Sequence, residues 1–518
     1  MDGLGELPPG WAWARLGDLI DRVESGKNVA AFGRPPTDGE IGIVKISAVT
    51  WGEFNEHESK TLLPNAGFDP ADVIAPGDFL ISRANTLELV GAPVIVRTCR
   101  RRLVLSDKVL RLRFVMEGLD HWVELFLKSP AGRRQIEGYA QGAQLSMRNI
   151  SQENLRRILV PIAPADEMRR VLACADAVFG ELDEGEAGLA RARGALSDYR
   201  ASLLHSACTG ALTAAWRAAN PRPAEDGPAL LRRILAERRA AWERTELTRL
   251  AAKGKPTLEG DAWRAHYEEP QAPDVDGLPA LPEGWAWASL RQLIGEPPRN
   301  GVSVQGRAEP PGTPALRLDA LGDGELHHTR HRFIDIPEAK AAALFIAEGD
   351  FLVSRANGSL RLLGKGCVAG RLPTPTVFPD TMIRFRFVRP SLGAWVSLAW
   401  RAGLVRRQFE ARAKTSAGIW KVGQDDLLTV AIPMPPEREM EQAITTVEAS
   451  MLPDQGWSGG AEIAALRRAV LHAAFTGRLA PQDPVEEPAA VLLARLRAAP
   501  AAPGRAPRRV RPVQEALL

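Results

Sequence analysis

The most constraining feature of this 518-residue chain is an internal duplication. Residues 77–85 read GDFLISRAN, and residues 349–357 read GDFLVSRAN. Further echoes follow in the same order, at offsets that fall only from 274 to 267: Leu7–Ile20 with Leu281–Ile294, Asp107–Val115 with Asp380–Val388, Arg133–Ile136 with Arg406–Phe409, Val160–Met168 with Ile432–Met440, and Leu204–Leu212 with Leu471–Leu479. Segments that return in order at a nearly constant offset indicate a duplicated folding unit.

Each copy begins with strand-like segments. DFLIS, APVIVR, RLVLS and KVLRLRFV in the first copy, and FLVS, MIRFRFV and LTVAIPM in the second, are short, rich in Val, Ile and Leu, and separated by Gly and Pro. The alternation of apolar and basic residues in LRLRFV and IRFRFV predicts strands with one solvated face. The predicted class is α+β, with two similar mixed-sheet domains.

Each copy ends in a helix. The segment Glu167–His205 contains no proline and repeats apolar residues every 3.5 positions, which favours a long helix with a partner along its seam. The duplicate segment Glu437–Leu479 is the expected partner. Its MLPDQGWSGG stretch predicts a break into two pieces. Between the copies, Ala229–Lys253 has the pattern of one further helix.

These patterns predict six segments. They are a first α+β domain at 1–165, a long helix at 166–212, a linker at 213–280 with a helix at 229–253, a second α+β domain at 281–436, a second long helical segment at 437–480, and a short helix with a disordered tail at 481–518.

Composition narrows the class of protein. Net charge is +3, but residues 281–436 carry 20 Lys and Arg against 14 Asp and Glu, whereas residues 1–165 carry 20 of each. Any polyanion contact in the second copy should therefore depend on salt. Four widely separated cysteines favour neither a disulfide framework nor a metal site, and they predict a cytoplasmic protein. The chain has no signal-peptide pattern and no apolar run long enough to predict a membrane span.

No catalytic motif is recognisable. The sequence has no GxxxxGK[ST], GxSxG, HExxH or DPPY-like segment. Asp335, Glu338 and Lys340 superficially resemble a nuclease cluster, but the first copy has no counterpart, which favours surface charge. His327, His328 and His331 are too few to predict a metal site and favour a surface or DNA-facing loop.

The remaining chemistry is that of recognition. The repeated SRAN segment offers a hydroxyl, a guanidinium and an amide, groups that suit phosphates and base edges. Because both copies share it, SRAN is more typical of a scaffold or a backbone clamp, and specificity is expected in the loops that diverge. The candidate DNA-binding residues in the first copy are Lys27, Asn28, Ser82, Arg83, Asn85, Arg101, Gln144, Arg148 and Asn149. Those in the second copy are Ser303, Gln305, Ser354, Arg355, Asn357, Lys365, Ser416, Trp420 and Lys421.

Together these motifs resemble the specificity subunits of type I restriction–modification enzymes. The carriers are the LPxGW openings, the GDFLxSRAN pair, the helix entries at Val160–Met168 and Ile432–Met440, and the helix ends containing TGxL. The first entry reads APADEM where the family usually has PPxxEQ. The resemblance implies a non-catalytic subunit that binds double-stranded DNA. The domains at 1–165 and 281–436 would be target-recognition domains, each reading one half of a bipartite, asymmetric target. The helices at 166–212 and 437–480 would be antiparallel, coiled-coil-like spacers related by a pseudo-two-fold axis. It also implies two methyltransferase subunits docked on the helices, with restriction subunits in the same complex.

The resemblance implies that this chain binds no cofactor, since S-adenosylmethionine, ATP and Mg²⁺ would belong to its partners. Two other hypotheses stay open at this point. One is a fused methyltransferase or nuclease with unrecognised motifs, which predicts that the isolated chain binds S-adenosylmethionine. The other is a coiled-coil scaffold that does not bind DNA.

Overall fold

The chain has the predicted α+β class, with a long helix between two similar sheet-containing regions. The computed structural model describes residues 6–50, 52–144, 147–252, 261–416, 418–451 and 459–498. The predicted disordered tail lies outside the described residues.

The first recognition region contains small sheets and short helices. In chain order these are β1 Ala12–Arg15, α1 Leu16–Leu19, β2 Ile20–Ser25, β3 Ala31–Phe32, β4 Ile41–Val44, β5 Ser59–Leu62, β6 Phe79–Ser82, β7 Ala84–Asn85, β8 Pro93–Ile95, β9 Arg102–Val104, β10 Val109–Phe114, α2 Leu119–Lys128, α3 Pro130–Tyr139, β11 Gln141–Gln144, β12 Met147–Asn149, α4 Gln152–Arg157 and β13 Leu159–Ile162. Short 3₁₀ turns lie at Ile46–Val49 and Pro70–Asp72.

Three helices and a 3₁₀ turn lead to the second region: α5 Ala165–Cys208, α6 Ala214–Ala219, α7 Gly227–Ala252 and the turn Asp261–His266. The second region contains β14 Ala286–Ser289, α8 Leu290–Leu293, β15 Arg299–Asn300, β16 Gly306–Arg307, β17 Thr313–Leu316, β18 His331–Ile334, α9 Glu338–Ala342, β19 Phe351–Ser354, β20 Ala356–Asn357, β21 Gly366–Val368, β22 Met382–Phe385, α10 Leu392–Arg401, α11 Gly403–Glu410, β23 Lys414–Ser416, β24 Ile419–Lys421, α12 Gln424–Leu428 and β25 Ala431–Met434. Further 3₁₀ turns lie at Leu318–Ala320 and Leu360–Leu362.

The chain ends in helices α13 Glu437–Ser450, α14 Gly460–Ala474 and α15 Ala489–Ala498. The predicted division of the second spacer helix into two pieces is therefore confirmed by the bounds of α13 and α14. The break itself falls largely on residues 452–458, outside the described part. No helix among the described residues is long and apolar enough to cross a bilayer.

Contacts divide the chain differently from the linear segments given above. One compact unit, here called unit 1, comprises residues 1–191 and 455–518, and the other, unit 2, comprises residues 192–454. Helix α5 begins in unit 1 and ends in unit 2, while α14 and α15 belong to unit 1. Each unit therefore combines one recognition region with helical segments from two distant parts of the chain.

Three sheets have the same strand order in both units. The order β2-β10-β6-β8 in unit 1 corresponds to β15-β22-β19-β21 in unit 2, and β1-β13 corresponds to β14-β25. The small sheet β11-β12-β7 corresponds to β23-β24-β20. The remaining sheet differs, with order β3-β5-β4-β9 in unit 1 and β16-β18-β17 in unit 2. The duplication therefore preserves the frame, whereas the remaining sheet diverges. Its strands lie between β2 and β6 in unit 1, apart from β9, and between β15 and β19 in unit 2.

The repeated GDF segment is explained by a buried ion pair. In unit 1 the carboxylate of Asp78 accepts hydrogen bonds from the Ala75 amide and from Arg111, each at 3.0 Å, and from Arg113 at 2.8 Å. The side chains of Asp78 and Arg111 are each 3% exposed. The expectation that the RLRF strand has a solvated basic face is therefore wrong for Arg111. Its charge is buried because an aspartate and backbone carbonyls compensate it.

Unit 2 repeats this ion pair. Asp350 accepts from the Ala347 amide at 2.8 Å and from Arg386 at 2.7 Å, and Arg384 lies 3.7 Å away. Arg384 is buried and also donates to the Phe345 carbonyl at 2.9 Å, so the solvated-face expectation fails in this copy too. The GDF and RxRF echoes are two halves of one internal contact.

The tryptophans of the two LPxGW motifs, Trp11 and Trp285, also make buried contacts inside their units. Trp11 donates to the buried Glu167 at the start of α5, at 3.0 Å, and Gln482 donates to the same oxygen at 3.2 Å. The repeated LPxGW and xxEM motifs thus meet at the base of the helix. Because Gln482 follows α14, the C-terminal segment completes this contact in unit 1.

In unit 2 the corresponding carboxylate is Glu439. It accepts from Trp285 at 3.1 Å, from the Thr213 hydroxyl at 2.7 Å and from Arg217 at 2.5 Å. Thr213 and Arg217 follow α5, as Gln482 follows α14. In each unit, the carboxylate at the base of the helix is therefore bound by a segment that follows the recognition region of the other copy in sequence.

The repeated helix ends have a steric reason. Gly210 and Gly477 adopt φ of +74° and +68°, and a Cβ added to them would lie 2.5 Å from Pro282 and 2.6 Å from Pro8, respectively. Both proximity and backbone conformation favour glycine at these positions. The TG pair therefore seats each helix end against an LPxGW opening.

Helix α5 is buried at its ends and not in its middle. Val171 and Ala175 are buried in the unit 1 core, and Leu203 and Ala207 are buried in the unit 2 core. No residue from 180 to 202 is buried. Within unit 1, Arg467 of α14 pairs with Asp183 of α5.

Candidate nucleic-acid interface

The structure gathers many of the sequence-predicted residues into one small sheet in each unit, here called the hairpin sheet. In unit 1 it consists of β11, β12 and β7, and in unit 2 of β23, β24 and β20. The predicted residues on these strands are Asn85, Gln144, Arg148 and Asn149, and Asn357, Ser416, Trp420 and Lys421. Their separation along the chain gave no direct sign of this grouping.

Cross-strand pairing aligns the two hairpin sheets residue by residue. Arg148 lies opposite Asn85, and Trp420 lies opposite Asn357. One strand position earlier in the shared segment, Ala84 pairs with Asn149 and Ala356 pairs with Lys421. The shared AN pair thus supplies a common edge strand against which two different hairpins form.

Alternation along the strands separates two faces of the hairpin sheet. Arg148 and Trp420 are half-buried, and Trp420 packs against the unit 2 core. Their neighbours on either side, including Asn149 and Lys421, are exposed. Arg148 and Trp420 therefore face the body of their units, whereas Asn149 and Lys421 face solvent.

The solvent-facing side also carries residues that the sequence analysis did not select. In unit 1, Gln141 pairs with Asn149, and Met147 pairs with Gln144. In unit 2, Lys414 pairs with Lys421, and Ile419 pairs with Ser416. Period-two alternation applied to the two hairpin sequences would have found Gln141, Met147, Lys414 and Ile419. The described side chains do not include that of Gln144.

The SRAN segment is largely used internally. The Ser82 hydroxyl is buried, donates to the Leu89 carbonyl at 2.7 Å and accepts from the Ala92 amide at 3.1 Å. The buried Ser354 hydroxyl donates to the Leu362 carbonyl at 3.0 Å. These two candidates fix the turn that follows the strand, which matches the scaffold interpretation of SRAN.

Arg83 and Arg355 are half-buried and hold neighbouring strands through their backbones. The Arg83 carbonyl accepts from the Ile150 amide at 3.0 Å, and that of Arg355 accepts from the Val422 amide at 3.0 Å. The amide oxygen of Asn85 accepts from the Thr86 amide at 2.8 Å, and that of Asn357 accepts from the Ser359 amide at 3.3 Å.

A second group of candidates lies on exposed loops after the first strand of the main sheet. Lys27 and Asn28 follow Gly26, and Ser303 and Gln305 follow Gly301; all four candidate side chains are exposed. A Cβ at Gly26 would lie 1.9 Å from the Leu105 carbonyl oxygen, and one at Gly301 would lie 2.0 Å from that of Phe378. Each loop therefore starts from a glycine whose α-carbon lies against a neighbouring backbone.

Two candidates do not belong to either group. The half-buried Arg101 donates to the Pro36 carbonyl, and its other terminal nitrogen lies 3.3 Å from His57 Nδ1. Lys365 is half-buried in the turn after SRAN, where its carbonyl accepts from the Ser354 amide at 2.8 Å. The structure thus ties Arg101 into unit 1, while the Lys365 backbone helps to shape the turn.

The described residues contain no cluster of His, Cys, Asp or Glu arranged to hold a metal ion. Asp335, Glu338 and Lys340 are exposed. The His331 ring lies edge-on to Phe333 at 5.3 Å, and its Nδ1 lies 3.0 Å from the His328 carbonyl oxygen.

Neither hairpin contains an acidic residue. The segment 141–149 reads QGAQLSMRN, and the segment 414–421 reads KTSAGIWK. The first therefore offers mainly amides and one guanidinium, and the second offers two ammonium groups. Such neutral-to-basic surfaces rich in hydrogen-bond donors suit phosphates and base edges.

Comparison with known proteins identifies similar chains. The type I restriction enzyme EcoKI specificity subunit of Escherichia coli is 22% identical over 524 aligned positions, which cover 96% of this chain and 97% of the relative. The EcoEI specificity subunit of Escherichia coli is 31% identical over 182 residues, which cover 35% of this chain and 30% of that relative. The predicted resemblance to type I specificity subunits is confirmed.

A solved structure described as the "structural basis underlying complex assembly and conformational transition of the type I R-M system" shares the fold of this chain. The match has a TM-score of 0.52 at 18% identity and covers 92% of this chain and 100% of the other. No protein-family model matches the chain. The similarity to specificity subunits therefore rests on the sequence relatives, one of which aligns along nearly the whole length of the chain.

Proposed function

We propose that this chain is the DNA-sequence-specificity subunit of a type I restriction–modification complex, in which each unit reads one half of a bipartite, asymmetric target. The observation that carries the proposal is the pairing of a duplicated frame with two unlike hairpin sheets. Identical readers would select a repeated or palindromic sequence, whereas unlike readers select two unlike half-sites.

The buried contacts support a division of labour between frame and reader. Asp78 and Asp350, Trp11 and Trp285, and the TG glycines use the repeated residues inside each unit. The solvent-facing residues of the hairpin sheets differ between the units. In this account, the repeated residues make the two units alike in fold, and the divergent residues make them different in specificity.

The proposal assigns the catalytic reactions to partner chains. Two methyltransferase subunits would dock on the helices, for which the unburied stretch of α5 at 180–202 offers available surface. Adenine methylation with S-adenosylmethionine, and ATP- and Mg²⁺-dependent cleavage by restriction subunits, would take place in those partners. The chain itself would supply the sequence specificity of the complex, which we expect to be cytoplasmic.

The test is to express the chain with the methyltransferase subunit of its source and to map methylated adenines across a host genome that lacks other modification. We expect one two-part motif with unlike halves separated by a fixed unspecified gap. A continuous or palindromic motif, or methylation that does not depend on this chain, would contradict the proposal.

A titration of the isolated chain with S-adenosylmethionine separates this proposal from a fused methyltransferase. We expect no saturable binding by the chain alone, and binding once the methyltransferase subunit is added. A gel shift of the complex with duplex DNA at low salt separates it from a scaffold that never touches DNA, because the proposal requires a shift that weakens as salt rises.

A further inference from the structure

The solvent-facing side of each hairpin sheet carries one large apolar residue among polar ones. Met147 in unit 1 is 60% exposed, and Ile419 in unit 2 is 43% exposed. Neither belongs to a hydrophobic core cluster of the described residues. Exposing a large apolar side chain to water is unfavourable, although isolated cases are common on protein surfaces.

What distinguishes these two residues is that they occupy one structural position. Met147 lies opposite Gln144, and Ile419 lies opposite Ser416, and each is the first residue of its strand, β12 or β24. The residues around them differ between the units in nearly every case. An exposed apolar side chain has therefore persisted at this place, although the surrounding sequence has diverged.

The neighbouring solvent-facing groups are hydrogen-bond donors without a negative charge. In unit 1 the next pair along the face is Gln141 and Asn149, and in unit 2 it is Lys414 and Lys421. Amides of Gln and Asn match the adenine edge, and Lys matches guanine acceptors or a phosphate. A two-stranded ribbon of this kind fits the major groove of duplex DNA.

The major groove contains one apolar group, the 5-methyl of thymine. We infer that Met147 and Ile419 each contact a thymine methyl group in the half-site that their unit reads, and so act as specificity-determining residues. This inference rests on the proposed function. Arg148 and Trp420, which face the body of their units, are positioning residues that hold the ribbon rather than base contacts.

The experiment uses the complete complex with its methyltransferase partner and the mapped motif. Synthetic duplexes carry that motif with one thymine at a time replaced by uracil, which removes only the 5-methyl group. We expect one replacement in each half to lower the methylation rate at limiting DNA by about fourfold, the effect of losing roughly one buried methylene-sized group.

The variants Met147→Ala and Ile419→Ala connect each methyl group to its residue. In Met147→Ala the thymine and uracil duplexes should become equivalent in the half read by unit 1, while discrimination in the other half stays at about fourfold. Ile419→Ala should have the reverse effect. The matched controls are Val115→Ala in unit 1 and Val275→Ala in unit 2, which remove exposed side chains elsewhere and should leave both discriminations intact.

Thermal unfolding of each variant shows whether it is folded, and the half-site pattern distinguishes a lost contact from general damage. The inference is overturned if no thymine replacement changes the rate of the wild-type complex, or if both discriminations survive in Met147→Ala and Ile419→Ala. If those results come with a two-part motif, the inference fails and the proposed function is still supported. If no two-part motif is found, the proposed function and the inference both fail.

Discussion

At one position of the hairpin sheet the two units carry side chains of opposite character. Arg148 in unit 1 and Trp420 in unit 2 each lie opposite the asparagine of the shared SRAN segment. Trp420 packs against a hydrophobic core, whereas the Nε of Arg148 is buried without a hydrogen-bond partner in the described part of the chain. The frame beneath these residues is nevertheless held by equivalent contacts, so the comparison separates what the duplication preserves from what it varies.

The largest expected effect comes from breaking the preserved ion pair. Asp350→Ala leaves the buried Arg384 without its carboxylate, so we expect it to lower the free energy of unfolding of unit 2 by about 3–5 kcal/mol. In Asp78→Ala the buried Arg111 keeps a second carboxylate, that of Glu24 at 2.5 Å, so we expect a smaller loss in unit 1. Urea unfolding monitored by hydrogen exchange of β10 and β22 measures both units in one chain. Asp425→Ala, which removes an exposed partner of Arg291, is the control and should cost about 1 kcal/mol or less. A loss in Asp78→Ala as large as that in Asp350→Ala would indicate that Glu24 does not compensate the charge of Arg111.

Thiol chemistry gives a second difference between the units. Burial raises the pKa of Cys208 and of Cys367, both in unit 2, to about 12. At pH 8 their thiolate fraction is therefore about a thousandfold below that of an ordinary thiol, and both should react with a thiol reagent only when unit 2 opens. In unit 1, burial raises the pKa of Cys99 to about 11, and Cys174 is partly exposed.

Mass spectrometry after timed labelling measures this difference residue by residue. We expect the order Cys174, Cys99, and then Cys208 with Cys367, with all rates rising with pH because the thiolate is the reactive form. Rapid labelling of Cys208 or Cys367 in the native chain would mean that the unit 2 core is not closed as described.

The carboxylates at the bases of the helices accept hydrogen bonds from different partners in the two units. Glu439 accepts from a cationic partner, Arg217, whereas Glu167 accepts from the neutral Gln482. We expect Glu439→Ala to cost about 3 kcal/mol and Glu167→Ala about 2 kcal/mol, since hydrogen bonds between charged groups contribute more. The measurement is the same urea series, and a larger loss for Glu167→Ala would contradict the assigned partners.

The smallest expected losses of stability lie in the hairpin sheet itself. Trp420→Ala removes a half-buried aromatic ring and should cost about 2 kcal/mol, below the cost for a fully buried Trp. Arg148→Ala removes a half-buried charge whose Nε has no partner and should cost about 1 kcal/mol or less. A loss in Arg148→Ala as large as that in Trp420→Ala would contradict this difference in packing.

Much of the frame could be predicted from the sequence. The repeated segments predicted the duplication, and the proline-free stretch predicted the long helix α5. The Pro- and Gly-rich segment predicted the break between α13 and α14. The alternation in LRLRFV misled because Asp78, more than thirty residues away in sequence, compensates the charge of Arg111. Period-two alternation predicts the face on which a residue lies, but it does not predict whether that face carries a buried partner of opposite charge.

The candidate site was predicted only in part. Divergence between the copies pointed to the hairpins, but the sequence alone gave no pairing partners for β7 and β20, so the grouping of Asn85 with Arg148 was not foreseen. Met147 and Ile419 were not predicted, because contacts with phosphates and base edges are mostly made by polar side chains. The linear segments did not anticipate that α14 and α15 complete unit 1, since that depends on contacts between the two ends of the chain.

The most direct test of the account is to replace residues 141–149 with the sequence of residues 414–421 and to map adenine methylation by the complex. If the repeated residues form the frame and the hairpins read the bases, methylation should persist, and the motif should change only in the half read by unit 1. An unchanged motif from an active, folded complex would contradict the account.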